Sequence, residues 1–137
     1  MSNDSKSLKQ RYPGAETFRF GDSAALCDRL LSLVRSGQKR ATCDASHDGA
    51  NDGSMPEIGR RDIALNWDGT PALVIETVEL IWCRFDEVTE AMALAEGEDD
   101  SLEDWRTGHR AYFERNGGFS PEMQILWERF RLVEDLG

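Results

Sequence analysis

The sequence lacks any apolar run long enough to cross a bilayer, and its first ten residues lack the apolar segment of a secretory signal peptide. We therefore expect a cytoplasmic protein with no membrane partner. Cysteine is also scarce, with three residues widely spaced at positions 27, 43 and 83. This odd number excludes a disulfide scaffold and predicts free, mostly buried thiols.

Positive charge is in short supply as well. Lys and Arg together number 16 against 26 Asp and Glu, which gives a net charge of −10. Because long nucleic acids are bound mainly by cations that neutralise phosphates, this balance disfavours a general duplex binder. A small nucleoside-type ligand or a short single-stranded RNA fits the charge better. The sequence carries no signal for an oligomeric state.

The length of 137 residues is enough for one domain with its own core. Residues 1–11 are polar and are interpreted as a flexible tail, which leaves residues 12–137 as a single domain. The domain opens with a predicted helix at about 22–36, where Leu26, Leu30, Leu33 and Val34 fall on one stripe. Gly37 stands where a left-handed residue ends such a helix.

Strands are predicted at about 39–46, 62–67, 72–83 and 124–134, with a hairpin turn at Asp68-Gly69. On the strand 72–83, the side that carries Val74 and Trp82 is expected to be the more buried. The alternation of the last strand breaks at Arg129, which predicts a bulge there. Helices are predicted at 88–95 and after Ser101. This order is not a series of βαβ units, so we expect an α+β fold, a small mixed barrel with flanking helices.

Two patterns suggest a metal site, and neither is complete. Asp44, Asp48 and Asp52 begin like a calcium loop, but Met55 occupies the twelfth position, where the loop needs a glutamate. Cys43 and His47 have no third or fourth ligand beside them in the sequence. The sequence therefore predicts no metal and no cofactor.

Three segments together resemble the ASCH domain, in its bacterial single-domain branch. They are Ser-Gly-Gln-Lys-Arg-Ala-Thr at 36–42, the stretch 85–105 that contains Ala-Glu-Gly-Glu-Asp-Asp-Ser-Leu-Glu-Asp-Trp, and Gln-Ile-Leu-Trp-Glu-Arg-Phe-Arg-Leu-Val at 124–133. The similarity runs from about residue 18 to 134. It implies a PUA-like β-barrel with flanking helices, built around a cleft.

Small members of this family are similar to amidohydrolases that convert N4-acetylcytidine to cytidine and acetate. The resemblance implies that Lys39, Thr42 and Glu98 are the catalytic residues. The sequence departs from the pattern after the threonine, where Cys43-Asp44 stands in place of an arginine, and this bears on the identity of the substrate.

Further candidates come from residue type and position. Arg40, Arg61 and Trp105 are candidate substrate-binding residues. A tryptophan ring can stack on a base, although the spacing of Trp105 on its helix is also that of a core residue. His109 shares that apolar face and is interpreted as a core or cleft-edge histidine rather than a general base.

The chemistry leaves two schemes open. In one, a neutral Lys39 takes the proton of Thr42, and Glu98 returns a proton to the leaving amine. In the other, Glu98 activates a water and Lys39 stabilises the oxyanion as a cation. Residues three apart on a regular strand face opposite ways. We therefore predict that Lys39 lies in the turn after Gly37 or that the strand is irregular.

The alternative function is that of an RNA-binding module, with ribonuclease activity as a variant. It predicts an open basic groove through Lys39, Arg40, Arg60 and Arg61. A third alternative is a regulatory domain that binds a nucleotide without turning it over.

Overall fold

The computed structural model describes residues 5–45 and 55–137, with side chains from residue 8 onward. The predicted surface loop with His47, Asp48 and Asp52 lies outside the described residues. No helix among the described residues is long and apolar enough to cross a membrane. The helices are α1 (Ser5–Arg11), α2 (Ala24–Ser36), α3 (Glu90–Ala95) and α4 (Leu102–Arg115), with a 3-10 turn at Phe85–Glu87. The strands are β1 (Thr17–Phe18), β2 (Ala41–Ala45), β3 (Arg61–Leu65), β4 (Pro71–Arg84) and β5 (Gln124–Asp135).

The strands form one five-stranded sheet in the order β1-β3-β4-β5-β2. Strand β1 runs parallel to β3, and every other pair is antiparallel. The predicted α+β class with flanking helices is confirmed. The predicted closed barrel is not, because the outer strands β1 and β2 do not pair with each other within residues 5–45 and 55–137. The sheet is therefore open.

The two long strands β4 and β5 pair with register shifts. Thr77 lies opposite Phe130 whereas Glu79 lies opposite Arg129, so β4 carries an extra residue, Val78. An irregularity near Arg129 was expected from the sequence and is confirmed, although the inserted residue belongs to the partner strand. A bulge of this kind bends the strand and increases its twist.

The predicted difference in burial between the two sides of β4 is wrong, because Leu73 and Ile75 are buried on one side and Val74 is buried on the other. The extra residue Val78 also moves Trp82, which is 49% exposed, to the same side as Ile75. The reason is tertiary: helix α2 covers the side with Leu73 and Ile75, and Leu8 of α1 covers Val74. Apolar alternation alone does not show which face a helix will cover.

Helix α2 forms as the sequence predicts. The Ser23 hydroxyl caps its start by accepting the Leu26 N–H at 3.2 Å. Its end is set by Gly37, whose φ of 85° is the left-handed conformation that favours glycine. Cys27 and Val34 are buried on the same stripe as Leu30. This helix therefore ends at a fixed point, immediately before Lys39.

A second core lies under helix α4. The Ser101 hydroxyl caps this helix by accepting the Asp104 N–H at 3.1 Å. Trp105 and Phe113 point inward against Phe85 and Ile125. Helices α2 and α4 therefore pack against separate apolar clusters.

The expected tail is ordered where the structure describes it. Residues 5–11 form α1, and Leu8 is only 1% exposed, packed against Ile63 and Val74. Residues 5–11 therefore form a docked helix in this structure, where a flexible tail was expected. Besides Leu8, Arg11 and Tyr12 both donate to Glu134 of β5, at 2.9 and 2.6 Å, so polar contacts also hold the short helix on the sheet.

Candidate active site

A cavity of about 470 Å³ lies between the sheet, helices α2 and α4, and the Glu98–Asp99 segment. This volume is within the usual range for small-molecule sites, about 300–1,000 Å³. Thr42, Ile75 and Glu128 contribute to its wall from three different strands. The open sheet therefore still builds a concave site.

Two of the three predicted catalytic residues, Thr42 and Glu98, line this cavity. Thr42 is on the edge strand β2, directly opposite Glu128 of β5. Directly opposed residues of an antiparallel pair project from the same face of the sheet. The Thr42 hydroxyl has no hydrogen-bond partner among the residues described. It is therefore available to a ligand in the cavity.

Lys39 lies just behind the cavity. It sits in the turn after Gly37, where its N–H binds the Leu33 carbonyl at 3.0 Å, and strand β2 begins only at Ala41. The predicted irregularity between Lys39 and Thr42 is thus confirmed. The Lys39 side chain is fully buried and does not itself line the cavity.

The Lys39 amine is surrounded by three acceptors. Its Nζ donates to the Ala41 carbonyl at 2.8 Å, to the Glu96 carbonyl at 3.3 Å and to Glu98 Oε2 at 2.6 Å. Three acceptors match the three N–H donors of an ammonium group. The arrangement therefore presents Lys39 as a cation that holds the Glu98 carboxylate in place.

A glycine at position 97 allows Glu98 to reach Lys39. Gly97 has a φ of 74°, and a Cβ there would collide with the Gln38 carbonyl oxygen and stand 2.7 Å from Lys39 N. A hydrogen bond also joins the segment after α2 to the end of α3, since the Arg40 N–H donates to the Ala95 carbonyl at 2.8 Å. The turn between α3 and α4 thus docks directly onto the turn between α2 and β2, which brings Glu98 to Lys39.

Glu96 and His109 form a second layer beneath this pair. His109 Nε2 lies 3.1 Å from Glu96 Oε1, and Lys39 Nζ lies 3.9 Å from the same oxygen. Burial opposes ionisation of Glu96, but the His109 hydrogen bond and the Lys39 charge outweigh it and lower the Glu96 pKa. Burial also disfavours a charged His109, yet the bond to Glu96 leaves the His109 pKa raised. The layer is therefore a hydrogen-bonded pair in which each partner favours the charged form of the other.

Cys43 borders the same layer. Burial, and then the negative charge of Glu96, raise the pKa of its thiol well above the ordinary value. Cys27 is buried and Cys83 half-buried, and all three cysteines are free. The expectation of free thiols is confirmed, and burial is complete only for Cys27.

Glu128 is a site residue that the sequence did not single out. Burial raises the pKa of its carboxyl, although the Thr77 hydroxyl donates to Oε2 at 2.6 Å and opposes this shift. A perturbed carboxyl in a cavity is a candidate for proton transfer. The available signal was a glutamate that lies between the apolar residues Trp127 and Phe130 of a predicted strand.

The three predicted substrate-binding residues are not part of the cavity. Trp105 is fully buried, with its ring 5.2 Å from that of Phe85 and 4.2 Å from that of His109, so no face is free to stack on a base. Arg61 is exposed and pairs with Glu76 at 3.0 Å. Arg40 is exposed beside a separate depression on the surface. Trp105 therefore belongs to the core and the two arginines to the surface.

Other aromatic and basic residues line the cavity instead. Trp82 and Tyr112 border it, and Trp82 keeps half of its surface exposed. The lining arginines are Arg19, Arg29, Arg60 and Arg115. Two of these are paired at close range, Arg60 with Asp62 at 2.8 Å and Arg115 with Asp22 at 2.8 Å. Their positive charge is therefore largely neutralised within the protein.

Solved structures resemble this architecture along most of its length. An ASCH domain from Lactobacillus crispatus is 29% identical, with a TM-score of 0.79 over 94% of this chain and 86% of its own. A protein of Enterococcus faecalis is 27% identical, with a TM-score of 0.82 over 93% of this chain and 84% of its own. A variant of an ASCH protein from Zymomonas mobilis shares the fold at 10% identity, with a TM-score of 0.52 over 90% and 73%.

A comparison with curated proteins gives no significant match. The family model described as the ASCH domain matches residues 16–134, which include strands β1 to β4, all of β5 except Asp135, and the whole cavity wall described above. The chain belongs to the ASCH domain family.

Proposed function

We propose that the cavity hydrolyses the N4-acyl amide of a cytidine-type nucleoside, with Glu98 and Thr42 as catalytic residues and Lys39 as a positioning residue. The observation that carries this proposal is the 2.6 Å contact between Lys39 Nζ and Glu98 Oε2 at the wall of a cavity that Thr42 also lines. The resemblance of these three positions to those of N4-acetylcytidine amidohydrolases gives the substrate class.

Glu98 is the general base in this scheme. Its carboxylate takes a proton from water, the water oxygen adds to the acyl carbonyl carbon, and an oxyanion forms. Collapse of this intermediate breaks the C–N4 bond. Glu98 then returns its proton to N4, which leaves as the exocyclic amine of cytidine beside the free carboxylic acid, and this acid loses its proton to solvent. One water is consumed and no redox partner is needed.

Lys39 acts through Glu98 rather than on the substrate. Its amine is buried behind the wall and its three donors are already engaged. A charged, hydrogen-bonded ammonium cannot take the proton of Thr42. The geometry therefore favours activation of water by Glu98 over the scheme in which a neutral lysine activates the threonine.

Thr42 supplies a hydroxyl at the wall of the cavity that Glu98 also lines. With no partner among the described residues, this hydroxyl can donate to the developing oxyanion. Removing a single oxyanion donor typically costs about 10²–10³ in kcat. Trp82 and Tyr112, at the same cavity, offer rings for the pyrimidine.

An RNA-binding function is less well supported. Of the four residues expected to form a basic groove, Lys39 is buried, Arg60 pairs with Asp62 and Arg61 pairs with Glu76. Binding of RNA through phosphates needs cations that are free to replace counterions. A weak affinity for single-stranded RNA that hardly changes between low and high salt would agree with this view.

The test is incubation with N4-acetylcytidine, with cytidine measured by chromatography. Glu98→Gln and Thr42→Val are expected to lower kcat at least tenfold. Glu103→Gln, an exposed glutamate at the start of α4, is the matched control and should keep full activity. Lys39→Met should lower kcat with little change in KM, because Lys39 does not contact substrate. Cytidine release by the Glu98 variant at the wild-type rate would refute the proposal.

A further inference from the structure

Three side chains of metal-ligating type meet at one place beneath the cavity. They are Cys43 on β2, Glu96 at the end of α3 and His109 on α4. One ligand atom from each, namely a thiol sulfur, a carboxylate oxygen and an imidazole nitrogen, lies within 4.8 Å of the other two. From this convergence we propose that the three residues bind a divalent transition-metal ion of borderline softness, with Zn²⁺ as the best fit.

The histidine is already oriented for such a role. His109 Nδ1 lies 2.9 Å from the Trp105 carbonyl, and since a carbonyl can only accept, Nδ1 carries the proton in this contact. The other nitrogen, Nε2, faces Glu96. A metal-binding histidine commonly donates its second ring N–H to a backbone carbonyl, which fixes the ring and leaves one nitrogen for the ion.

The carboxylate supplies a second, independent indication. Glu96 is fully buried, and its Oε1 faces His109 and Lys39. Its Oε2 is also buried and has no hydrogen-bond partner among the described residues. A buried polar atom without a partner costs about 1–3 kcal/mol, more when charged. An ion bound through Oε2 would satisfy this atom without displacing Lys39 from Oε1.

The charges are compatible with a divalent ion. Lys39 and Glu98 neutralise each other at 2.6 Å. The Glu96 carboxylate and a Cys43 thiolate would then balance two positive charges, with His109 neutral. Binding would thus replace the thiol proton of Cys43 and the Nε2 proton of His109 by one cation.

The ligand set selects the class of ion. A thiolate and an imidazole favour Zn²⁺ and its close analogue Co²⁺ over Mg²⁺ or Ca²⁺, which take oxygen ligands. Three protein ligands leave a fourth tetrahedral position for water or another small ligand. Cys43 and His109 are both among the residues that line the cavity, so such a ligand has a route to the site.

Cobalt provides a readout that does not depend on catalysis. The full chain, freed of metal by chelation and kept reduced, would be titrated with Co²⁺ and followed by absorption. We expect one equivalent to produce a near-ultraviolet thiolate-to-cobalt band together with intense visible bands of tetrahedral Co²⁺, both removed by one equivalent of Zn²⁺. The Cys43→Ser variant should lose the near-ultraviolet band, and His109→Gln should weaken binding at least tenfold.

Cys83→Ser is the matched control, because Cys83 is also a half-buried free thiol, away from Glu96 and His109. It should titrate like the wild type. A cobalt spectrum that stays that of the aqueous ion, or a thiolate band that persists in Cys43→Ser, would overturn the proposal. Circular dichroism of each variant checks that the fold is retained. Cys43 and His109 have no role in the proposed hydrolysis. If the protein did not hydrolyse N4-acetylcytidine, the result of the cobalt titration would therefore still stand.

Discussion

Thr42 and Glu128 face each other across the β2–β5 ladder, and both line the cavity. The threonine was expected at the site from the sequence and the glutamate was not. Their pairing puts a carboxyl of raised pKa beside the hydroxyl that the proposed reaction uses. The edge strand β2 therefore presents its site residue against an acid from the inner strand β5.

The Glu128 carboxyl should make stability depend on pH. Its pKa is raised in the folded state, whereas the unfolded chain titrates near an ordinary value of about 4.3. Between these two pKa values the native state binds more protons than the unfolded state, so the free energy of unfolding falls as pH rises. We expect Glu128→Gln to flatten this fall, measured by urea denaturation from about pH 4 upward.

The same titration on Glu103→Gln provides the control, because Glu103 is exposed. Its profile should match that of the wild type. If Glu128→Gln also leaves the profile unchanged, then burial does not hold the Glu128 proton and this carboxyl is not a candidate for proton transfer at the site.

Lys39 and Glu98 should be strongly coupled in stability. Removing one partner of a buried ion pair typically costs about 3–5 kcal/mol, because the other charge stays behind in the protein. Lys39→Met is therefore expected to destabilise the fold by about that amount. Adding Glu98→Gln to Lys39→Met should cost much less than Glu98→Gln alone. A double-mutant cycle by urea denaturation measures this coupling, and additive effects would contradict the 2.6 Å contact.

Gly97 should be far less tolerant of substitution than a glycine of similar backbone conformation. An alanine at 97 would collide with the Gln38 carbonyl, whereas one at Gly14, with φ of 83°, meets nothing within 4 Å. Both variants incur the left-handed strain of about 1–2 kcal/mol. Gly97→Ala should lower the melting temperature more than Gly14→Ala does, and only Gly97→Ala should reduce hydrolysis. Equal losses in the two variants would show that the close approach to Gln38 is unimportant.

Helix α1 should contribute measurably to stability through one side chain. Leu8→Ala is expected to cost about 2–5 kcal/mol, the range for deleting a buried leucine, because Leu8 is buried against Ile63 and Val74. Lys9→Ala, at an exposed position on the same helix, should change stability little. Thermal denaturation compares the two. A Leu8→Ala variant as stable as the Lys9→Ala variant would mean that α1 does not dock.

The local features of the fold were predictable because they depend on neighbouring residues. Gly37 and Ser101 cap helices through contacts a few residues away, and both positions were predicted from the sequence. The open edge of the sheet was not predictable, since strand count does not state whether β1 meets β2. The docking of α1 was missed for a similar reason: Leu8 is buried by residues more than fifty positions away.

The residues of the candidate site were also predictable only where local sequence or the family resemblance identified them. The turn that holds Lys39 follows from the left-handed residue at Gly37, so its irregularity could be predicted. The resemblance to the family supplied Thr42 and Glu98. Trp105 and Glu128 were misjudged or missed because aromatic and acidic residues look alike in sequence whether they face a core or a cavity, and only packing of α4 and β5 decides this.

The place of β5 in the sheet bears on how the protein is made. Strand β2 pairs with β5 and with no other strand among the described residues, although about eighty residues of chain separate them. On a translating ribosome, Thr42 therefore emerges long before the strand that will hold it, and an unpartnered edge is exposed in the meantime. The cavity wall is completed only by a late, long-range closure, so nascent chains stalled before Gln124 should be candidates for chaperone capture rather than partly active enzymes.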